Sequence, residues 1–198
     1  MKLKVVVCSL GLLSTFAGMV RGQEYSKFDL FAGYSYVRAN PSNSQVFPPP
    51  NTSIPSFNMH GGEASLAYNF NSWLSGVFDF AGYRTSRVVS NPPDFKGNMY
   101  TYLFGPRFSY RHTGRVTPFV QTLFGVAHAT SPTYLIGHNQ TNFAMTVGGG
   151  FDYRLSPRFS LRPVQADYML TRFKEVVETG DIPTQNNVRL STGLVFHF

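Results

Sequence analysis

The chain has 198 residues, of which 17 are lysine or arginine and 10 are aspartate or glutamate. This length suits one ordinary domain, and the mild, scattered positive charge gives no indication of nucleic-acid binding. After residue 22 no stretch approaches the roughly 20 apolar residues of a membrane-spanning helix, which excludes that class of membrane protein.

Residues 1–22, MKLKVVVCSLGLLSTFAGMVRG, are predicted to form a cleaved signal peptide. Lys2 and Lys4 precede an apolar run that begins at Val5, and small or neutral residues precede a cut after Gly22. The alternative, a permanent membrane anchor, would need a longer apolar run. The mature domain, residues 23–198, then contains no cysteine, because Cys8 is the single one in the chain.

Eight segments of the mature domain alternate between large apolar side chains and small or polar ones. A period of two is typical of β-strands with one apolar face. In chain order the segments are FDLFAGYSY (28–36), GGEASLAYNF (61–70), LSGVFDFAGY (74–83), MYTYLFGPRFSYR (99–111), TPFVQTLFGVAH (117–128), FAMTVGGGFDYRL (143–155), FSLRPVQADYML (159–170) and VRLSTGLVFHF (188–198). In the seventh segment the apolar phase changes between Leu161 and Val164, which predicts a β-bulge near Pro163.

The connections between these segments alternate between long and short. The long ones are 39–58, 85–98, 129–142 and 174–186, and the short ones are 71–72, 111–115 and 156–158. If consecutive strands form antiparallel hairpins, all four long loops emerge at one end, and both termini and all three tight turns lie at the other.

The size of the side chains indicates which face of the sheet points inward. The interior of an eight-stranded barrel is only just wide enough for side chains. Rows of Phe, Tyr and Leu would not fit there, whereas Gly, Ala, Ser and Thr would. The bulky rows should therefore face outward, and such a surface is stable only against lipid, where a closed barrel satisfies every backbone group. We predict an all-β fold, an eight-stranded antiparallel up-and-down transmembrane β-barrel.

Several motifs support this prediction: GYSY (33–36), LAYNF (66–70), GPRFSYR (105–111), TPFVQTLFG (117–125), GGGFDYRLSPRFSLR (148–162) and the terminal Phe198. With them, residues 25–198 resemble the small outer-membrane β-barrel proteins of Gram-negative bacteria, the OmpA-type barrel family. The resemblance implies location in the bacterial outer membrane, contact with its lipids, and insertion by the outer-membrane assembly machinery. It also implies that this machinery reads the C-terminal aromatic residue, here Phe198.

The inward phase contains four acids and four arginines: Glu63, Asp79, Asp152, Asp167, Arg107, Arg154, Arg162 and Arg189. Counting residues from the turns predicts three pairs on neighbouring strands: Asp79 with Arg107, Asp152 with Arg162, and Asp167 with Arg189. A guanidinium suits a buried carboxylate because it bonds two oxygens at once. We expect this network to fill and rigidify the lumen, with a gate or narrow ion path as the alternative.

A catalytic Ser/His/acid set would have to converge near one rim of the barrel. The candidates on the loop side are His60, His128, His138, Ser44, Ser131 and Asp181, and their spacing matches no motif. His112, in a tight turn, and His197, one residue from the end, do not suggest a site. No zinc spacing or phosphate loop is present, so we expect neither catalysis nor a cofactor.

The expected function is that of a non-enzymatic outer-membrane β-barrel protein with a structural role, a surface-display role, or both. The long loops are where an extracellular ligand would bind, for adhesion or recognition. The alternative is a low-conductance pore for small solutes.

Overall fold

A computed structural model of the chain describes residues 25–40, 56–87, 95–111, 114–130, 140–172 and 184–198. These residues form eight β-strands: β1 (Phe28–Ala39), β2 (Phe57–Asn69), β3 (Leu74–Arg87), β4 (Phe95–Ser109), β5 (Val116–Thr130), β6 (Gln140–Ser156), β7 (Phe159–Arg172) and β8 (Thr184–His197). None of the described residues belongs to a helix long and apolar enough to cross a membrane. The predicted signal peptide, residues 1–22, lies outside the described residues.

The strands form a closed barrel in which each strand pairs with its sequence neighbours and β8 pairs with β1. Every pairing is antiparallel, and the closing pair runs from Asp29 opposite His197 to Arg38 opposite Val188. At the end of the seam, the amide of Phe198 donates a hydrogen bond to the carbonyl of Phe28 (2.9 Å). The predicted eight-stranded, up-and-down closed barrel is therefore confirmed.

The two ends of the barrel differ in the length of their connections. Strands β2 and β3, β4 and β5, and β6 and β7 are joined by short turns, and both termini of the barrel lie at this end. We call it the turn end. In the β2–β3 turn, Asn71 Oδ1 accepts hydrogen bonds from the amides of Trp73 (3.0 Å) and Leu74 (2.8 Å). The opposite, loop end carries the four longer connections, most of whose residues (41–55, 88–94, 131–139 and 173–183) lie outside the described residues.

The large apolar side chains face outward, as the alternation predicts. Leu66, Phe78 and Phe104 are between 44% and 64% exposed, whereas the side chains beside them in sequence are buried. Since an apolar outer surface of this extent is stable only in lipid, the sidedness agrees with a transmembrane barrel.

Aromatic side chains in contact with one another lie towards each end of this outer surface, in two groups that we call belts. The turn-end belt contains Phe28, Tyr68, Phe70, Trp73 and Phe108, with Trp73 stacked on Phe108 at 5.9 Å between ring centroids. The loop-end belt contains Tyr34, Tyr36, Phe80, Tyr100 and Tyr102, with Phe80 and Tyr102 5.2 Å apart. Belts of this kind are typical of the two membrane–water interfaces.

The interior differs from the prediction in one respect: it also contains large apolar side chains. The sequence alternation suggested an inward face of small and charged residues, but among the described residues eleven large apolar or aromatic side chains are buried there too. They are Phe31, Val37, Met59, Val77, Tyr83, Met99, Leu103, Phe119, Leu123, Met169 and Val195. Abundant Gly, Ala, Ser and Thr on the same face leave the volume that these side chains fill.

The bulge predicted near Pro163 is present. Arg162 lies opposite Gly193 and Gln165 opposite Ser191, so two residues of β7, Pro163 and Val164, face one residue of β8. A bulged residue is left without a ladder partner, so the missing N–H of proline costs nothing there. The carbonyl of Arg162 instead accepts a hydrogen bond from Thr192 Oγ1 (3.1 Å).

Candidate functional site

Arg189 on β8 lies in the middle of the lumen and contacts three carboxylates. Its Nη1 donates to Asp79 Oδ1 (2.9 Å) and its Nε donates to Asp167 Oδ2 (2.9 Å). Nη2 lies 2.7 Å from the same Asp167 oxygen, close enough for an ion pair but angled away from a hydrogen bond. Glu63 Oε2 is 3.7 Å from Nη1. These four side chains, the central cluster, are almost completely buried.

Three carboxylates around one guanidinium leave an excess of negative charge, which neutral donors offset. Gln165 Nε2 donates to Asp167 Oδ2 (2.7 Å), and Ser191 Oγ donates to Glu63 Oε2 (2.5 Å). Gly148 allows β7 to approach closely here, since a Cβ there would collide with the carbonyl of Ala166 and with the carboxylate of Asp167. Hydrogen bonds to a charged acceptor are stronger than neutral ones, so the cluster is held by polar contacts as well as by ion pairing.

The predicted pair of Asp79 with Arg107 is wrong. In the β3–β4 register Asp79 lies opposite Leu103 and Arg107 opposite Ser75, four residues further along the strand. Asp79 instead reaches across the lumen to Arg189, which lies on a strand that is not its neighbour. Arg107 donates from Nε to Gln121 Oε1 (3.0 Å) and packs over the ring of Phe119, 4.6 Å from its centroid.

The predicted pairs Asp167 with Arg189 and Asp152 with Arg162 are both present. Arg162 binds Asp152 with two hydrogen bonds, from Nε (2.7 Å) and Nη2 (3.0 Å). Its guanidinium also lies over two aromatic rings, 4.5 Å from the centroid of Phe31 and 4.4 Å from that of Phe119.

Arg154 does not belong to this buried network. Its side chain is exposed and lines a cavity of about 800 Å³ at the turn end of the barrel, which we call the turn-end cavity. The strand is irregular here, with register shifts between Phe151 and Tyr153 and between Arg154 and Ser156. Arg154 therefore lies below the network, at the mouth of the lumen.

A polar chain at the same mouth was missed by the sequence analysis. His197 Nδ1 lies 2.7 Å from Asp29 Oδ1, and His197 Nε2 lies 2.7 Å from Ser160 Oγ. Asp29 also accepts from Arg111 Nη2 (3.1 Å) and Asn69 Nδ2 (2.8 Å). Asp29 is an inward residue of the first strand and His197 is an inward residue of the last strand. Because the sequence predicts that these two strands pair, it could also have predicted this contact.

The order serine, histidine and aspartate is also that of a catalytic triad. Ser160, however, is only 2% exposed, and the three residues lie on the adjacent strands β7, β8 and β1. The contacts therefore connect the closing strands across the seam.

The loop-side candidates for catalysis do not converge among the described residues. His60 contacts Tyr34 through Nδ1 (2.5 Å), and His128 contacts Thr141 through Nδ1 (2.7 Å). Ser44, Ser131, His138 and Asp181 lie outside the described residues. Within the part of the chain that the structure describes, no group of three His, Cys, Asp or Glu side chains could hold a metal ion.

Beside the central cluster and above it, towards the loop end, apolar side chains fill the lumen. Met59, Tyr83, Met99 and Met169 belong to one buried apolar cluster that also includes Leu103 and Leu123. Leu103, Leu123 and Met169 are at most 1% exposed. Side chains that lined a water-filled path would retain exposed surface, so at the depth of these residues the interior is packed.

Three solved structures share this fold across nearly their whole length. Neisserial surface protein A (NspA) has a TM-score of 0.64 at 18% identity, with 89% of this chain and 100% of that chain covered. Ail, the attachment invasion locus protein of Yersinia pestis, has a TM-score of 0.58 at 16% identity, with 88% and 99% covered. OprG from Pseudomonas aeruginosa has a TM-score of 0.56 at 12% identity, with 91% and 99% covered. No curated protein sequence matches the chain significantly.

A family model shows the relationship directly. The model for the outer membrane protein beta-barrel domain matches residues 7–198, which is nearly the whole chain. Together with the closed eight-stranded barrel and its lipid-facing surface, this match means that the chain belongs to the outer membrane protein β-barrel family and lies in the bacterial outer membrane.

Proposed function

We propose that this protein is a non-enzymatic barrel that carries its long loops on the outer face of the outer membrane, for adhesion or recognition. The observation that carries the proposal is the packed lumen: the central cluster and the apolar side chains next to it have almost no exposed surface. A barrel filled in this way is a rigid support for its loops. Outer-membrane barrels have short periplasmic turns and longer extracellular loops, so the loop end would face outward.

The similar structures support a role in recognition. Ail is named for attachment and invasion, and a structure of Ail contains the heparin analogue sucrose octasulfate. By analogy, an extracellular ligand of this protein would bind through its four long connections. Loops are the usual place for binding residues on a rigid scaffold.

The alternative function, a low-conductance pore, is distinguished by electrical recording. We expect no steady single-channel steps when the refolded protein is placed in a planar lipid bilayer. Steps that change when Arg189 or Asp79 is replaced would favour the pore and contradict the packed-lumen proposal.

Surface display is tested by replacing loops 41–55 and 131–139 with short Gly/Ser turns. We expect the barrel to fold, as shown by an altered gel mobility before heating, while cells that express it lose adhesion to sulfated glycans. In a matched control, a Gly/Ser segment is inserted into the 157–158 turn. This variant should adhere as well as the unchanged protein. Labelling of Ser160 by a fluorophosphonate would contradict the non-enzymatic part of the proposal.

We also propose that Phe198 is the residue that the outer-membrane assembly machinery recognises. Its position supports this role, because its carbonyl accepts hydrogen bonds from the amides of Lys27 (2.8 Å) and Phe28 (3.3 Å) at the seam where the barrel closes.

A further inference from the structure

The turn-end cavity has a wall that is rich in arginine. Five arginines line it: Arg107, Arg111, Arg115, Arg154 and Arg158. They come from two adjacent hairpins, β4–β5 and β6–β7. The volume, about 800 Å³, falls within the range of small-molecule sites.

The two aspartates of this wall already have cationic partners. Asp29 Oδ2 lies 3.1 Å from Arg111 Nη2, and both carboxylate oxygens of Asp152 are bonded by Arg162. Among the described residues, therefore, no carboxylate lies within ion-pairing distance of the other four arginines of the wall. The mouth has an excess of positive charge, in contrast to the central cluster above it.

Arg107 is the deepest of these arginines and is only 4% exposed. Among the described residues, one of its five N–H groups has an acceptor, Gln121 Oε1. A buried guanidinium without a counter-charge costs several kcal/mol. Arg107 lines the turn-end cavity, where an anion would provide that counter-charge.

We propose that the turn-end cavity binds a periplasmic ligand with at least two phosphate or carboxylate groups. Arg107 would bind one group at the base of the cavity, and Arg154 and Arg158 would bind another at its rim. Guanidinium groups suit both chemistries because their parallel N–H donors match two oxygens of one anion. The ligand could be water-soluble or the headgroup of an anionic lipid, and both sources share this chemistry.

The test uses the refolded full barrel in phosphatidylcholine nanodiscs, with tripolyphosphate as the probe in isothermal titration calorimetry. We expect saturable binding at one probe per barrel, and Arg107→Gln should weaken it by roughly tenfold or more. The matched control is Arg84→Gln, which removes the same charge from an exposed position near the loop end and should leave the affinity unchanged. Absence of saturable binding, or an equal loss in both variants, would overturn the proposal.

A second variant covers the case in which Arg107→Gln fails to fold. Arg154 and Arg158 are exposed, so the double change to glutamine should preserve the fold and still weaken tripolyphosphate binding. An unchanged affinity in this variant would also overturn the proposal. Nanodiscs that contain phosphatidylglycerol identify the source: reduced binding of the probe indicates a lipid headgroup, and unchanged binding indicates a soluble ligand.

Discussion

At the scale of single residues, the interior separates charge along the barrel axis. Glu63, Asp79 and Asp167 gather around Arg189 in the middle, whereas Arg107 lies nearer the mouth without a carboxylate. Replacing Arg189 should therefore change the stability of the barrel differently from replacing Arg107, although both side chains are buried in the lumen.

We expect Arg189→Met to destabilise the barrel by about 3–5 kcal/mol, because it leaves three buried carboxylates without their cation. Arg107→Met leaves no carboxylate unpaired and removes a buried cation that has no counter-charge, so the free energy of unfolding should stay unchanged or rise. Urea unfolding in lipid vesicles, followed by the fluorescence of the single tryptophan, Trp73, measures both.

The double variant Arg189→Met, Asp167→Asn provides the control. Removing one of the unpaired charges should restore part of the stability lost in Arg189→Met, which a purely steric effect would not do. Equal destabilisation by Arg189→Met and Arg107→Met would contradict the assignment of the charges.

A charge pair could be predicted from the sequence where its two residues lie on neighbouring strands. Asp167 and Arg189 are directly opposite in the β7–β8 register, so counting from the turn found them. Asp79 and Arg189 lie on β3 and β8, and their contact depends on strand tilt and stagger, which the sequence does not contain. A count along two neighbouring strands therefore assigned Asp79 to Arg107 instead.

At the scale of strands, the alternation located all eight elements but shortened several at the loop end. Strand β4 begins at Phe95 rather than Met99, and β6 begins at Gln140 rather than Phe143. These additional residues, FKGN (95–98) and QTN (140–142), extend towards the loops and are mostly polar. They show no apolar period, so the alternation could not include them.

The β7 bulge gives a test of how phase controls the fold. Deleting Pro163 would leave Arg162, Val164 and Gln165 in regular alternation, with one residue facing one residue of β8. We expect this deletion variant to fold, because every inward side chain of β7 stays inward. Deleting Leu66 from β2, which has no bulge, would move part of that strand to the wrong face and should prevent folding.

Heat-modifiable gel migration after refolding compares these two deletions. The proposal that inward/outward alternation controls folding would be contradicted if the Leu66 deletion folded. It would also be contradicted if the Pro163 deletion failed to fold while Pro163→Ala folded.

At the scale of the whole molecule, the outward aromatic residues indicate the thickness of the membrane that the barrel fits. The outward residues of β4 begin with Tyr100 in the loop-end belt, and the outward side continues to Tyr110, which directly follows the end of β4 at Ser109. Ten residues at about 3.3 Å each span about 33 Å, and a strand tilt of about 40° reduces this to about 25 Å. That height matches the apolar band of outer-membrane barrels, so Phe104 should lie near the middle of the bilayer and Tyr110 near the periplasmic interface.

The depth assignment predicts a gradient in the cost of charge along β4 and the residue that follows it. Phe104→Arg should lower the free energy of unfolding by about 2–4 kcal/mol, because it places a cation near the bilayer midplane, whereas Tyr110→Arg should cost about 0–1 kcal/mol. Phe104→Met controls for the lost ring without adding charge. Reversible urea unfolding in phosphatidylcholine vesicles measures all three. Equal costs for the two arginine variants would mean that the belts do not mark the membrane interfaces, and the outward aromatic surface would then need a partner other than lipid.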